Sequence, residues 1–156
     1  MTGQLSPSPN GRSPARTAGS LRNGTQPVAT HPIILIDDDR TWLQAAVDLL
    51  RADGFEVETA EDGQRGLELL DRSSPVLVIL DIHMPRLGGF DLLRELRRRG
   101  QRVPVLMVSS EDQAGLMAQA LADGASSFLR KPVAADLLLR AVRRLVGSSA
   151  DREGPH

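Results

Sequence analysis

Between residues 31 and 146 the chain alternates short apolar runs with longer stretches in which apolar side chains recur every three or four positions. The short runs, at 33–36, 57–60, 76–80, 103–108 and 127–129, have the length of strands. The longer stretches, at 41–52, 64–70, 90–99, 112–122 and 134–146, have the periodicity of amphipathic helices. In the first of these, Leu43, Ala46, Val47 and Leu50 form one apolar stripe. Regular alternation of strand and helix predicts a parallel sheet covered by helices. The first, third and fourth strand segments are unbroken apolar runs, as strands covered on both faces should be, so they are expected at the centre of the sheet. Gly54, Gly100 and Gly124 follow three of the helices, where a left-handed residue closes a helix C-terminus.

The flanks read differently. Residues 1–30 are rich in Ser, Pro, Gly, Thr and Asn, with three arginines and no acids. Such a segment cannot bury enough apolar surface to offset its ordering entropy and is expected to be a disordered tail. Residues 147–156 read as a second, shorter flexible end. A chain of 156 residues therefore holds one domain, at 31–146, and the pattern shows no effector domain after it, so a stand-alone module is expected. Composition adds exclusions. There is no cysteine, which removes disulfides, thiolate metal sites and thiol catalysis. No apolar run reaches the ~18 residues of a membrane span, and no secretory signal is evident, so a cytoplasmic location is expected. The net charge of −1 singles out neither nucleic acid nor a membrane surface as partner. The basic run Arg97, Arg98, Arg99 and Arg102 lies at a helix C-terminus, where cations complement the dipole.

Candidate chemistry gathers where strands end. Asp37, Asp38 and Asp39 directly follow the first strand, at the end of a parallel strand where open α/β sheets bind ligands. Three carboxylates there repel one another unless a cation neutralises them, and hard oxygen ligands suit Mg²⁺ or Mn²⁺. An acidic run can equally cap the next helix, and Asp39 stands in the N-cap place. The third strand runs into Asp81, which is followed by Ile82, His83, Met84, Pro85, Arg86, Leu87, Gly88 and Gly89. An acid ending a buried strand is costly without a partner. Pro85 stiffens this loop, and Gly88 and Gly89 are expected to allow backbone angles that other residues resist. Ser109 ends the fourth strand. Lys131 follows the fifth and is the single lysine beside 18 arginines, which suggests a need for a compact ammonium rather than a planar guanidinium. A carboxylate nucleophile, a divalent ion and a fixed cation are what phosphoryl transfer to an aspartate demands.

On these residues the segment 32–146 resembles the response-regulator receiver family, in a form similar to a chemotaxis regulator. Ile34 to Asp39 looks like the family's first strand with its acidic pair. Asp81, Met84, Pro85, Gly88, Gly89 and Leu92 look like its phosphorylation loop, and Gly124, Ala125, Phe128, Lys131 and Pro132 like its fifth-strand signature. The resemblance implies a flavodoxin-like doubly wound fold of five strands in the order 2-1-3-4-5. It implies that Asp81 accepts a phosphoryl group from a histidine kinase or a histidine phosphotransfer protein. Asp38 and Asp81 would ligate Mg²⁺ with the backbone carbonyl of His83, supported by Asp37, while Lys131, joined to Pro132 by a cis peptide bond, would contact the phosphoryl oxygens. Ser109 and Phe128 would form the switch that alters the face of the fourth helix, fifth strand and fifth helix, where a downstream target protein binds. His83 and Glu111 occupy positions that tune hydrolysis of the aspartyl phosphate. Ser109 stands where Thr is commoner and Ser110 where a small apolar residue is usual. No nucleic acid or membrane is implied, and chemistry on a separate substrate is not expected.

Two other readings compete. Asp37-Asp38-Asp39-Arg40-Thr41 fits the start of haloacid-dehalogenase-type phosphatases, with Asp37 as nucleophile, Asp39 as general acid, and Ser109 and Lys131 in later motifs. Those enzymes need a further acidic pair after the lysine, where only Asp136 precedes the tail, and they leave the 81–89 loop unexplained. A pseudo-receiver that binds a partner without phosphorylation would not require every site residue type to be present.

Overall fold

A computed structural model describes residues 31–111 and 113–152; the leader at 1–30, expected to be a tail, and residues 153–156 lie outside it. In chain order the elements are β1 (Ile33–Ile36), α1 (Arg40–Ala52), β2 (Val57–Ala60), α2 (Gly63–Asp71), β3 (Leu77–Leu80), α3 (Gly89–Arg98), β4 (Val105–Ser109), α4 (Leu116–Ala122), β5 (Ser127–Arg130) and α5 (Ala135–Arg152). The strands form one parallel sheet in the order β2-β1-β3-β4-β5. This is the helix-covered parallel sheet expected from the alternating pattern, in the flavodoxin-like order that the resemblance implies.

The period of two along each central strand divides the core. Ile33 and Leu35 of β1, Leu77 and Ile79 of β3, and Leu106 and Val108 of β4 face α1 and α5, where Leu43, Val47, Leu50, Leu138 and Val142 cover them. Ile34, Ile36, Val78, Leu80, Val105 and Met107 face the other way, onto Leu69, Leu92, Leu93, Leu96 and Ala120 of α2, α3 and α4. Every residue of β1, β3 and β4 is buried, and each enclosed large aliphatic side chain contributes about 1.5–3 kcal/mol. Gly54, Gly100 and Gly124 have φ of +96°, +82° and +108°, so the left-handed helix endings read from the sequence are present.

Several boundaries differ from the pattern-based ones. β4 begins at Val105 because Pro104 has no N–H to give to a ladder; its carbonyl accepts from Val78 instead. α4 begins at Leu116 rather than at 112, since Gly115, with φ +90°, is left-handed and the right-handed helix starts only after it. α5 continues beyond Val146 to Arg152, so the segment expected as a flexible end from 147 is helical for six residues. Gly147 alone costs a helix about 1 kcal/mol, and Ser148, Ser149 and Ala150 do not break one.

Candidate functional site

The parallel register brings the ends of four strands to one edge. Ile36 of β1 is level with Leu80 of β3, so Asp37 and Asp81 leave the sheet side by side, and the Asp81 N–H donates to the Ile36 carbonyl at 3.0 Å. Ser109 closes β4, and its carbonyl accepts from the N–H of Lys131, just past β5, at 2.9 Å. The structure thus gathers the acids, the hydroxyl-bearing residue and the lysine that the sequence had scattered over about a hundred positions.

One carboxylate oxygen from each of Asp37, Asp38 and Asp81 lies within 4.8 Å of the other two. Asp37 is 1% exposed and Asp81 7%, whereas Asp38 faces solvent. Both Asp37 oxygens are engaged: Oδ2 accepts from Lys131 Nζ at 2.7 Å and Oδ1 from the Asp39 N–H at 2.9 Å. Burial, reinforced by the neighbouring charges of Asp37 and Asp38 and opposed by Lys131, pushes the Asp81 carboxyl up to about 7. Burial also raises Asp37 above the usual carboxylate range, against the hydrogen bond from Lys131. Three acids face one ammonium, so excess negative charge is held in a crevice open on the Asp38 side. Clustered oxygen donors with unbalanced charge are the donor set a hard divalent cation requires, and the residues present fit such an ion.

Asp39 takes no part in this set. Its Oδ1 accepts from the Trp42 N–H at 3.1 Å and caps α1, so of the two roles open to the acidic run Asp39 has the capping one.

The loop after β3 is shaped by space rather than by glycine's angles. Gly88 has φ −77°, and neither Gly88 nor Gly89 is among the residues of positive φ, contrary to the expectation that they supply unusual angles. A Cβ on Gly89 would lie 2.0 Å from the carbonyl oxygen of Asp81, so only glycine lets α3 begin this close to the acid. The left-handed residue is Arg86, at φ +67°; its guanidinium reaches Asp62 Oδ2 at 3.0 Å. Asp62 caps α2 through the Arg65 N–H, and these hydrogen bonds hold its carboxyl below the usual range. The next residue, Gly63, would place a Cβ 2.0 Å from the Leu87 carbonyl, so the loop is pressed onto the start of α2.

Beside the acids, His83 Nε2 and Glu111 Oε2 stand 3.4 Å apart with both side chains well exposed. The Ser109 hydroxyl accepts from the Glu111 N–H at 3.0 Å, a local turn bond rather than one to the acids. Phe128 is half-buried against the core face shared with α3 and α4. The Lys131–Pro132 peptide bond is cis, as the resemblance implies. Sequence reading missed two contributors. Trp42 packs against the core, but its ring also lies 4.7 Å from Lys131 Nζ. The Arg86–Asp62 tie had no signal, because nothing in the loop's residue types marks position 86 as left-handed.

The family model described as the response regulator receiver domain matches residues 33–143. The response regulator MprA of Mycobacterium sp. (strain KMS) is 36% identical over 123 residues, 79% of this chain and 54% of that protein. The MprA of Mycobacterium leprae (strain TN) is 36% identical over 114 residues, 73% and 50%. The chain spans about half the length of these curated relatives. Among solved structures, a response regulator receiver domain protein from Clostridium thermocellum aligns with TM-score 0.71 and 34% identity, covering 76% of this chain and 95% of its own. A CheY-like receiver domain protein from Methanospirillum hungatei JF-1 aligns with TM-score 0.75 and 25% identity, covering 81% and 100%. Among the described residues no helix is long and apolar enough to cross a membrane. With the strand order, the acid cluster at the sheet edge and the match over 33–143 in agreement, the chain belongs to the response regulator receiver domain family of two-component signalling.

Proposed function

We propose that this receiver domain accepts a phosphoryl group on Asp81 from the phosphohistidine of a histidine kinase or a histidine phosphotransfer protein. The observation that carries the proposal is the convergence of Asp81 with Asp37 and Asp38 within 4.8 Å, beside the Lys131 ammonium. An Asp81 carboxylate oxygen attacks phosphorus, the phosphorus–nitrogen bond breaks, and the donor imidazole leaves with its electron pair. Attack requires Asp81 ionised, so groups that lower its affinity for a proton serve the reaction. Asp38 and Asp81, with the backbone carbonyl of His83 and support from Asp37, would hold Mg²⁺ or Mn²⁺, which supplies positive charge opposite the transferred oxygens when bound. Lys131 supplies a fixed positive charge to the same oxygens. His83 and Glu111, facing each other beside the site, tune attack of water on the product.

Output passes through protein contacts. Met117 and Leu121 of α4 and Leu137 of α5 are large apolar residues left 53%, 48% and 41% exposed, which supports the α4–β5–α5 face as the surface a target protein reads. The switch runs through Ser109 and Phe128, on adjacent strands. The domain acts on no separate substrate, and nucleic acid is not among its partners. The phosphatase reading has less support, because the Asp39 carboxylate caps α1 and the acids gathered with Asp37 are Asp38 and Asp81.

Incubation with acetyl phosphate and Mg²⁺, followed by intact-mass analysis, tests the proposal. Wild type should gain one labile phosphoryl group, and Asp81→Asn none. An adduct that survives Asp81→Asn but is lost with Asp37→Asn would overturn it in favour of the phosphatase chemistry.

A further inference from the structure

Lys131 sits on a short tether between two elements, and its ammonium is oriented by more than its carboxylate partner. The side chain is 12% exposed, and among the described residues its hydrogen-bond acceptor is Asp37 Oδ2 at 2.7 Å. An ammonium has three donors, and Asp37 engages one of them. A second neighbour is the indole of Trp42, with Nζ over the ring at 4.7 Å from its centroid, inside the range at which an aromatic face attracts a cation.

The residue that carries the ring is tied to the site through its backbone. Trp42 lies in the first turn of α1, where its backbone N–H donates to Asp39 Oδ1 at 3.1 Å. The Asp39 N–H in turn donates to Asp37 Oδ1 at 2.9 Å. Asp37, Asp39, Trp42 and Lys131 therefore close a circuit of contacts around the ammonium, so the turn that ends β1 and starts α1 fixes where the lysine points.

We propose that Trp42 is a positioning residue for Lys131, holding the ammonium over the acid cluster by its ring face while leaving it able to move from Asp37 to an incoming phosphoryl oxygen. A second carboxylate in that place would bind the ammonium more tightly and add like charge to Asp37 and Asp81. An aliphatic side chain would attract nothing. The attraction of a ring face varies little over small displacements, unlike a hydrogen bond, so the ammonium stays guided as its partner changes.

The proposal rests on Asp81 phosphorylation, and its test separates the two. Wild type, Trp42→Phe and Trp42→Leu are compared, each also combined with Lys131→Met. The rate of labelling by acetyl phosphate, the Mg²⁺ dependence of that rate, and the fluorescence of Trp42 are read; Trp42 is the chain's one tryptophan. Trp42→Leu should slow labelling about fivefold and Trp42→Phe by less, because a benzene face attracts a cation more weakly than an indole. The Mg²⁺ dependence should keep its midpoint. In the Lys131→Met background, already slow, Trp42→Leu should add no further loss. Lys131→Met should also shift Trp42 emission in metal-free protein, where no phosphoryl chemistry occurs. Equal rates for wild type and Trp42→Leu, the same loss with and without Lys131, or unchanged emission in Lys131→Met would each overturn the role of Trp42. A wild type that takes no phosphoryl group would sink the underlying reading and this role with it.

Discussion

Replacing Asp81 by asparagine should make the metal-free protein more stable at neutral and higher pH. The Asp81 carboxyl is raised from 3.8 to about 7, first by burial and then by the charge of Asp37. Between those two values the folded chain holds a proton that the unfolded chain has released, so stability falls as pH rises through this window. The contribution is fully present below about pH 4 and is lost as pH passes about 7. At about 1.4 kcal/mol per pH unit, ionising this group costs the folded chain up to about 4 kcal/mol. Water entering from the exposed Asp38 side reduces that, and asparagine keeps the shape without the charge, so a gain of about 2–4 kcal/mol is expected at pH 8. Removing the Asp81 charge also relieves Asp37, which acts in the same direction. Urea unfolding of both proteins in chelator at pH 5, 6, 7 and 8 measures the difference. The gap should already be roughly a third of its full size at pH 5, widen to nearly its full size by pH 7, and shrink or reverse when Mg²⁺ is added, because a cation that binds only the folded acid cluster stabilises wild type by mass action. Parallel pH dependences for the two proteins, or a wild type more stable than Asp81→Asn at pH 8 in chelator, would refute the reasoning.

Other substitutions separate the roles assigned above. Gly89→Ala puts a Cβ against the Asp81 carbonyl; it should lower stability by more than about 2 kcal/mol and slow labelling, read by urea unfolding and by intact mass. Asp39→Ala removes the α1 cap and should cost about 1 kcal/mol while leaving the Mg²⁺ affinity of the folded protein within about threefold, whereas Asp38→Asn should weaken Mg²⁺ binding at least about tenfold with little change in stability; titration calorimetry distinguishes them. Lys131→Arg, which replaces a point charge with a planar fork, should lose most labelling although net charge is unchanged.

The sheet was legible because its three central strands, 33–36, 76–80 and 103–108, carry no polar residue, and a chain segment of that kind has few places to go except between two layers of helices. The acids and the lysine were legible because strand ends in a parallel sheet share one edge, so residues far apart in sequence must meet once the order of strands is known. What escaped depended on individual backbone angles and distances. Gly88 and Gly89 signalled a special loop, but the same two glycines fit either a need for angle or a need for room, and only the 2.0 Å approach to the Asp81 carbonyl decides for room. The positive φ falls on Arg86, a residue whose type gives no hint of it. The helix start at Leu116 hid behind a continuous helical pattern that Gly115 interrupts by its sign of φ. Trp42 carries no sign in the sequence of more than packing, because its contact with the ammonium exists only once β5 has brought Lys131 across the sheet edge.

Borohydride trapping tests the central claim most directly. Wild-type protein labelled with acetyl phosphate in Mg²⁺ and then reduced should yield, on peptide sequencing by mass spectrometry, homoserine at position 81, the product expected from an aspartyl phosphate. Homoserine at position 37 or 38 with aspartate intact at 81, or phosphate recovered on a hydroxyl such as that of Ser109, would contradict it.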